Sequence, residues 1–151
     1  MLVRVALEDE YVAVGTLTVA GYDADGWLAD AAPRGRDSVL LVATEGDELL
    51  GTVTWCPPGA PTRELAVEDH QGEFRTLSVA PGARRRGVGR ALVSSCLDRA
   101  RALLLTEVLL CSLNDMTPAH RLYESFGFVR RPELDWSPFP GVSLWAFSLE
   151  L

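Results

Sequence analysis

Between Glu73 and Ala91 the chain reads EFRTLSVAPGARRRGVGRA, and few folds accommodate that succession. A strand-like run from Glu73 to Val79 meets a breaker at Pro81-Gly82, and three arginines then precede Gly87-Val88-Gly89 at the opening of an amphipathic helix. A strand, a short glycine-containing turn and a helix start together build an anion site. The first N–H groups of a helix have no partner inside it, and the macrodipole places roughly half a positive charge there. Glycines at 87 and 89 omit the Cβ atoms that would hold a diphosphate off the backbone, while Arg84, Arg85, Arg86 and Arg90 add charge with fork geometry. The expected ligand is phosphorylated.

Arg84-Arg85-Arg86-Gly87-Val88-Gly89 resembles the Q/R-x-x-G-x-G/A acyl-CoA signature of the GNAT superfamily of N-acyltransferases, and Leu77-Ser78-Val79-Ala80-Pro81 matches the strand and proline turn that precede it there. Leu122-Tyr123-Glu124-Ser125-Phe126-Gly127-Phe128 resembles the LYxxxGF signature found further along in the same superfamily. The resemblance implies an α/β fold (α+β by some schemes): a mixed central sheet of six to seven strands, about four helices, and parallel strands 4 and 5 splayed apart to admit a pantetheine arm. One GNAT domain over residues 1–151 is the matching expectation, since that length suits a single core.

Composition narrows the classes. Hydrophobic residues make up 48% and charged residues 23%, which is globular, and no apolar run approaches the ~18 residues of a membrane span. Met1 to Arg4 lead directly into an amphipathic pattern without the apolar core of a signal peptide, so no membrane and a cytoplasmic location are expected. Net charge is −7, yet every basic residue is an arginine and Arg75 to Arg90 gather five of them. A local cluster against an acidic background points to a small anionic cofactor and away from nucleic acid. Without lysine no P-loop clamp exists. Cys56, Cys96 and Cys111 are scattered and odd in number, and two histidines stand without companions at ligand spacing, so neither a disulfide framework nor a metal is expected.

In chain order, the pattern predicts a strand over Leu2 to Leu7, a helix from Glu8 to about Gly21, a short helix around Trp27 to Ala31, and a hairpin of Ser38 to Ala43 with Leu49 to Trp55 about a Glu45-Gly46-Asp47 turn. Cys56 to Gly72 is a long connection with three prolines and the acidic residues Glu64, Glu68 and Asp69, either a cover for an acceptor site or an ordinary solvated loop. Val88 to Leu105 carries a helical stripe of Val88, Leu92, Cys96 and Ala100, flanked by Ala91, Ser95 and Leu103. Glu107 to Leu113 then reads as an apolar strand parallel to Glu73 to Val79 across a βαβ crossover. Thr117 as N-cap with Pro118 at the first helical position starts a helix that Gly127 stops, and Phe128 to Arg131 and Val142 to Leu149 form a last pair of strands.

The resemblance implies acetyl transfer from acetyl-CoA to a primary amine by direct attack in a ternary complex, with a small-molecule or peptide amine as acceptor and a homodimer as a further expectation. A non-catalytic acyl-CoA sensor or interaction domain of the same fold is the alternative. The backbone of Leu77, Ser78 and Val79 would receive the pantetheine and oxyanion at a bulge, and residues 84–90 the diphosphate. Met116 replaces the asparagine many relatives place before the second signature, and Asn114 is the nearby substitute for that contact. Glu73 occupies the position of a catalytic glutamate in histone-acetylating members and is the first candidate base, ahead of Glu68, Asp69 and His70; in a strand it is equally a solvated edge residue. Tyr123 matches the superfamily's general acid, whose phenol stays protonated at neutral pH and can serve a thiolate. His120, one turn earlier, contacts it at most on the helix surface. Cys111, in an apolar strand, reads as packing. Acidic residues of the long loop favour a cationic acceptor, and Trp136 with Phe139 an apolar wall, although both read equally as surface.

Overall fold

The computed structural model describes residues 1–22 and 30–151. Seven strands form one mixed sheet in the order β1-β2-β3-β4-β5-β7-β6, where β1 is Leu2–Val5, β2 Val39–Glu45, β3 Glu48–Cys56, β4 Gln71–Val79, β5 Glu107–Leu113, β6 Val129–Arg130 and β7 Leu144–Glu150. Four α-helices accompany it among the described residues: α1 Tyr11–Tyr22, α2 Ala32–Asp37, α3 Val88–Ala102 and α4 Thr117–Ser125. The α/β architecture expected from the sequence is therefore present. The short helix expected around Trp27 to Ala31 falls largely outside the described residues, and α2 begins at Ala32.

Alternation along the strands splits the core into two layers. Leu41, Val53, Trp55, Phe74 and Leu110 face α3 and α4, while Leu40 and Val42 face α1 with Val14 and Ala6. The α3 stripe is buried as its spacing predicts, but Val93 and Leu97 flank it and Leu103 is exposed. Gly51 brings α3 onto the sheet: a Cβ there would meet Val88 Cγ1 at 2.7 Å and the Ser78 carbonyl at 3.0 Å.

The sheet opens where β4 meets β5. Their parallel pairing covers only Gln71 to Phe74 against Glu107 to Leu110, so from Arg75 and Cys111 onward the strands have no ladder between them. The expected splay is this opening. On the other side of β4, Val53 of β3 faces both Thr76 and Leu77, a bulge between the pairs Thr52↔Ser78 and Thr54↔Arg75. Thr76 adopts φ +54°, rare for a β-branched residue, and its hydroxyl lies 2.7 Å from that of Thr54.

Candidate active site

Two backbone devices lie near this opening. The first is the start of α3. Arg85 takes φ +66° and Gly87, the N-cap, φ +78° and ψ 14°, so the loop turns twice through the left-handed region before the helix begins. The first α3 bond runs from the Ala91 amide to the Gly87 carbonyl (3.0 Å), which leaves the Val88, Gly89 and Arg90 amides pointing ahead of the helix. Arg84, Arg85, Arg86 and Gly87 are all exposed. Successive amides in such a turn form a concavity that can accept an anion, and the exposed arginines beside it add positive charge.

The arginines divide in use. Arg84 and Arg85 have no side-chain partner among the described residues, whereas Arg86 Nη2 donates to Glu45 Oε2 at 2.6 Å. Arg90 turns away from the loop: its Nη2 donates to Ser125 Oγ at 2.9 Å and its guanidinium lies 5.1 Å from the Phe126 ring centroid. Gly89 also faces the second signature, since a Cβ there would sit 3.1 Å from Leu122 Cδ2. The two sequence signatures are thus packed against each other, and part of what spacing suggested for a ligand is the contact between them.

The second signature is a helix terminus. The Phe128 amide donates to the Tyr123 carbonyl (3.1 Å) and the Gly127 amide to the Glu124 carbonyl (2.9 Å), with Gly127 at φ +100°. These two bonds define a Schellman motif, and the hydrophobic pair that completes it is Tyr123 with Phe128, centroids 6.1 Å apart. The start differs from expectation: Met116 is the N-cap, without a side-chain capping bond, and Thr117 and Pro118 are already helical. Tyr123 is 4% exposed, with ring centroids 5.9 Å from Phe74 on β4 and 5.9 Å from Phe147 on β7. His120 is buried as well, stacked on Trp145 at 5.5 Å and bonded through Nε2 to the Leu113 carbonyl at 3.0 Å, so it secures the end of β5 and is no mere surface neighbour.

The second device surrounds Glu73. Its side chain is 0% exposed and its carboxylate accepts three consecutive backbone amides: Leu65 at 2.7 Å, Ala66 at 2.9 Å and Glu64 at 3.0 Å, all on Oε1, with Glu64 also 3.1 Å from Oε2. Burial pushes the carboxyl above its ordinary range, and the amides of Ala66, Leu65 and Glu64 and the Arg75 guanidinium pull against that. Arg75 Nε lies 3.9 Å from Glu73 Oε2, Nη1 donates to the Thr62 carbonyl at 3.0 Å, and Nη1 pairs with Glu64 Oε1 at 3.3 Å. Gln71 Oε1 accepts the Val67 and Glu68 amides at 3.1 and 3.0 Å, and Arg63 Nη1 reaches the Glu68 carbonyl at 3.0 Å. The long connection is therefore fastened along its length by β4 side chains. Its loop amides and Arg75 carry no motif; the charged pair Glu73 and Arg75 on one strand face was the available signal.

Glu73 and Phe74 are neighbours on β4 and so point to opposite faces. Glu73 and Tyr123 consequently lie on opposite faces of β4, one residue before the β4–β5 ladder ends. Leu77 and Val79 pack toward the α3 core, while Ser78 Oγ donates to the Leu17 carbonyl of α1 at 3.3 Å. Asn114 is exposed at the end of β5, its amide bonded to the Ser143 carbonyl (3.1 Å). Cys111 flanks the opening; burial pushes its thiol up to about 11, which leaves it protonated at neutral pH.

Residues 4–128 match the family model for the acetyltransferase (GNAT) family. The chain is 36% identical over 113 residues to a mycothiol acetyltransferase of Geodermatophilus obscurus, an alignment covering 72% of this chain and 35% of that protein. An N-acetyltransferase family 8 member 3 of Rattus norvegicus is 30% identical over 96 residues, covering 64% of this chain and 40% of that one. The chain thus spans well under half the length of these relatives. Among solved structures, a GCN5-related N-acetyltransferase from Kribbella flavida superposes with a TM-score of 0.72 at 27% identity, over 99% of this chain and 97% of that one. The yncA protein of Salmonella typhimurium, solved with its cofactor acetyl-CoA, superposes at 0.71 and 19% identity over 100% and 94%.

Proposed function

The chain belongs to the GNAT acetyltransferase family, and from that premise we propose that it transfers the acetyl group of acetyl-CoA to a primary amine by direct attack in a ternary complex. One observation carries the reading. The start of α3, whose Val88, Gly89 and Arg90 amides lack partners in the helix, follows β4 through the 80–87 turn, and β4 is the strand that parts from β5, so both lie within reach of a single extended ligand. Acetyl-CoA supplies an acetyl group activated as a thioester. Arg84, Arg85 and the amides of Val88, Gly89 and Arg90 hold its diphosphate, Arg86 adds charge at the rim, and the β4 backbone past the bulge at Leu77, Ser78 and Val79 receives the pantetheine. Asn114 stands at the outer end of β5, within the same opening's rim.

An ammonium acceptor with a pKa near 10.4 must lose a proton before it attacks. That proton passes to water at the β4–β5 opening, where the Glu64 and Glu73 carboxylates beside Arg75 set the local charge. Tyr123, held by its Schellman terminus against Phe74, returns a proton to the departing sulfur. A panel of amines, from polyamines and amino acids to peptide N-termini, assayed for thiol release tests the activity. With the best amine, Tyr123→Phe should lower kcat by about 100-fold while acetyl-CoA affinity stays within about threefold. Full turnover by the variant would remove Tyr123 from the chemistry, and no thiol release with any amine would remove the transferase reading.

A further inference from the structure

A carboxylate that takes a substrate's proton needs a lone pair turned toward that substrate. Glu73 is 0% exposed and three successive amides of the 57–70 loop already converge on its oxygens. Its geometry is that of a buried anion in a backbone cradle, the one used elsewhere for phosphate, with the anion supplied by the chain itself. The cradle has a directional consequence. The held Glu64 amide anchors the backbone of a residue whose side chain is 38% exposed and whose carboxylate meets Arg75 at 3.3 Å. Arg75 and Cys111 are the first residues of β4 and β5 beyond the ladder, so this pair stands at the mouth of the opening. Cys111 lies within electrostatic reach of Glu73, Arg75 and Glu64 alike.

We infer that Glu73 is a positioning residue: it anchors the 57–70 loop through the Glu64, Leu65 and Ala66 amides and so presents Glu64, at the mouth of the β4–β5 opening, as the carboxylate that receives a cationic acceptor. The acceptor half of this assignment rests on the acetyl-transfer reading; the anchoring half does not.

Amide hydrogen exchange of the free protein reads the anchor. Glu73→Gln places a carboxamide donor among amide donors, and exchange at Glu64, Leu65 and Ala66 should rise about tenfold or more. The α3 amides should keep their protection. Unchanged protection at those three amides overturns the proposal. Glu73→Asp keeps the charge but shortens its reach, and should give the same local loss if the Gln variant proves unstable. Kinetics reads the consequence with the amine that the wild type turns over fastest. Glu73→Gln and Glu64→Gln should each raise the acceptor KM about tenfold, with kcat lowered less than about threefold, acetyl-CoA KM steady and the acid limb of kcat/KM retained. A kcat loss of about 100-fold or more in Glu73→Gln, with KM steady and the acid limb gone, would make Glu73 the proton acceptor and overturn the positioning role. If no amine is turned over, the exchange result decides the anchor by itself, and the transferase reading fails separately.

Discussion

The loop ahead of α3 and the loop ahead of β4 solve the same electrostatic problem in opposite ways. Both gather consecutive backbone N–H groups that ask for an anion. Ahead of α3 the amides of Val88, Gly89 and Arg90 have no carbonyl within the helix to bond and stand beside the exposed Arg84, Arg85 and Arg86, and the anion must come from outside. Ahead of β4 the amides of Glu64, Leu65 and Ala66 are already bonded, because the chain supplies the anion as the buried Glu73. An amide cluster therefore marks a ligand site only when no carboxylate of the chain reaches it. Without Glu73 the Ala66 amide, in a residue 3% exposed, would be left unpaired at about 1–3 kcal/mol, whereas the amide of the exposed Glu64 could turn to water.

The contrast gives graded expectations. The largest is for Gly89→Asp, which sets a carboxylate among the amides and a Cβ 3.1 Å from Leu122 Cδ2. Acetyl-CoA affinity should fall roughly 1,000-fold, about 4 kcal/mol, by calorimetry, with the fold retained by circular dichroism; near-native binding would show that the outward amides hold no diphosphate. Glu73→Ala comes next, and there the loss is stability. The buried Ala66 amide and the half-buried Leu65 amide without an acceptor should remove about 3 kcal/mol and lower Tm by ~10 °C, against little change in acetyl-CoA affinity. An unshifted Tm would mean that water fills the cradle as well as the carboxylate does.

Smaller effects separate the arginines. Arg84→Ala with Arg85→Ala should weaken acetyl-CoA binding about tenfold and flatten its salt dependence without moving Tm, because both side chains are exposed and unpartnered among the described residues. Arg86→Ala, which breaks an ion pair with half-exposed partners, should change stability by less than about 0.5 kcal/mol in thermal melts. A loss from Arg86→Ala equal to that of the double variant would place all three arginines on the ligand.

Much of this arrangement was legible beforehand. Proline and glycine punctuate the chain where they change backbone direction, so the β4 end, the α3 start and the α4 stop at Gly127 were readable. The Glu107–Leu113 strand and the Gly46-Asp47 hairpin turn were legible from apolar run length and turn chemistry. The α3 end was not. Leu104 takes φ +59° where a glycine would be the signal, and its amide and that of Leu105 close a Schellman motif on Arg101 and Ala100 without one. Spacing points Arg90 at phosphate, yet its side chain is held by Ser125 and Phe126, 35 residues away for the hydroxyl bond.

By itself the sequence determined the elements, the helix terminus available to an anion and the two signatures, because each depends on neighbours within a few residues: a missing Cβ, a missing N–H, a period of two or of 3.6. Tertiary structure alone decided what each polar group faces. Whether Glu73 meets substrate or three loop amides, whether Gly89 serves a ligand or Leu122, and where β4 parts from β5 all follow from contacts between segments distant in sequence, and local spacing carries no record of those distances.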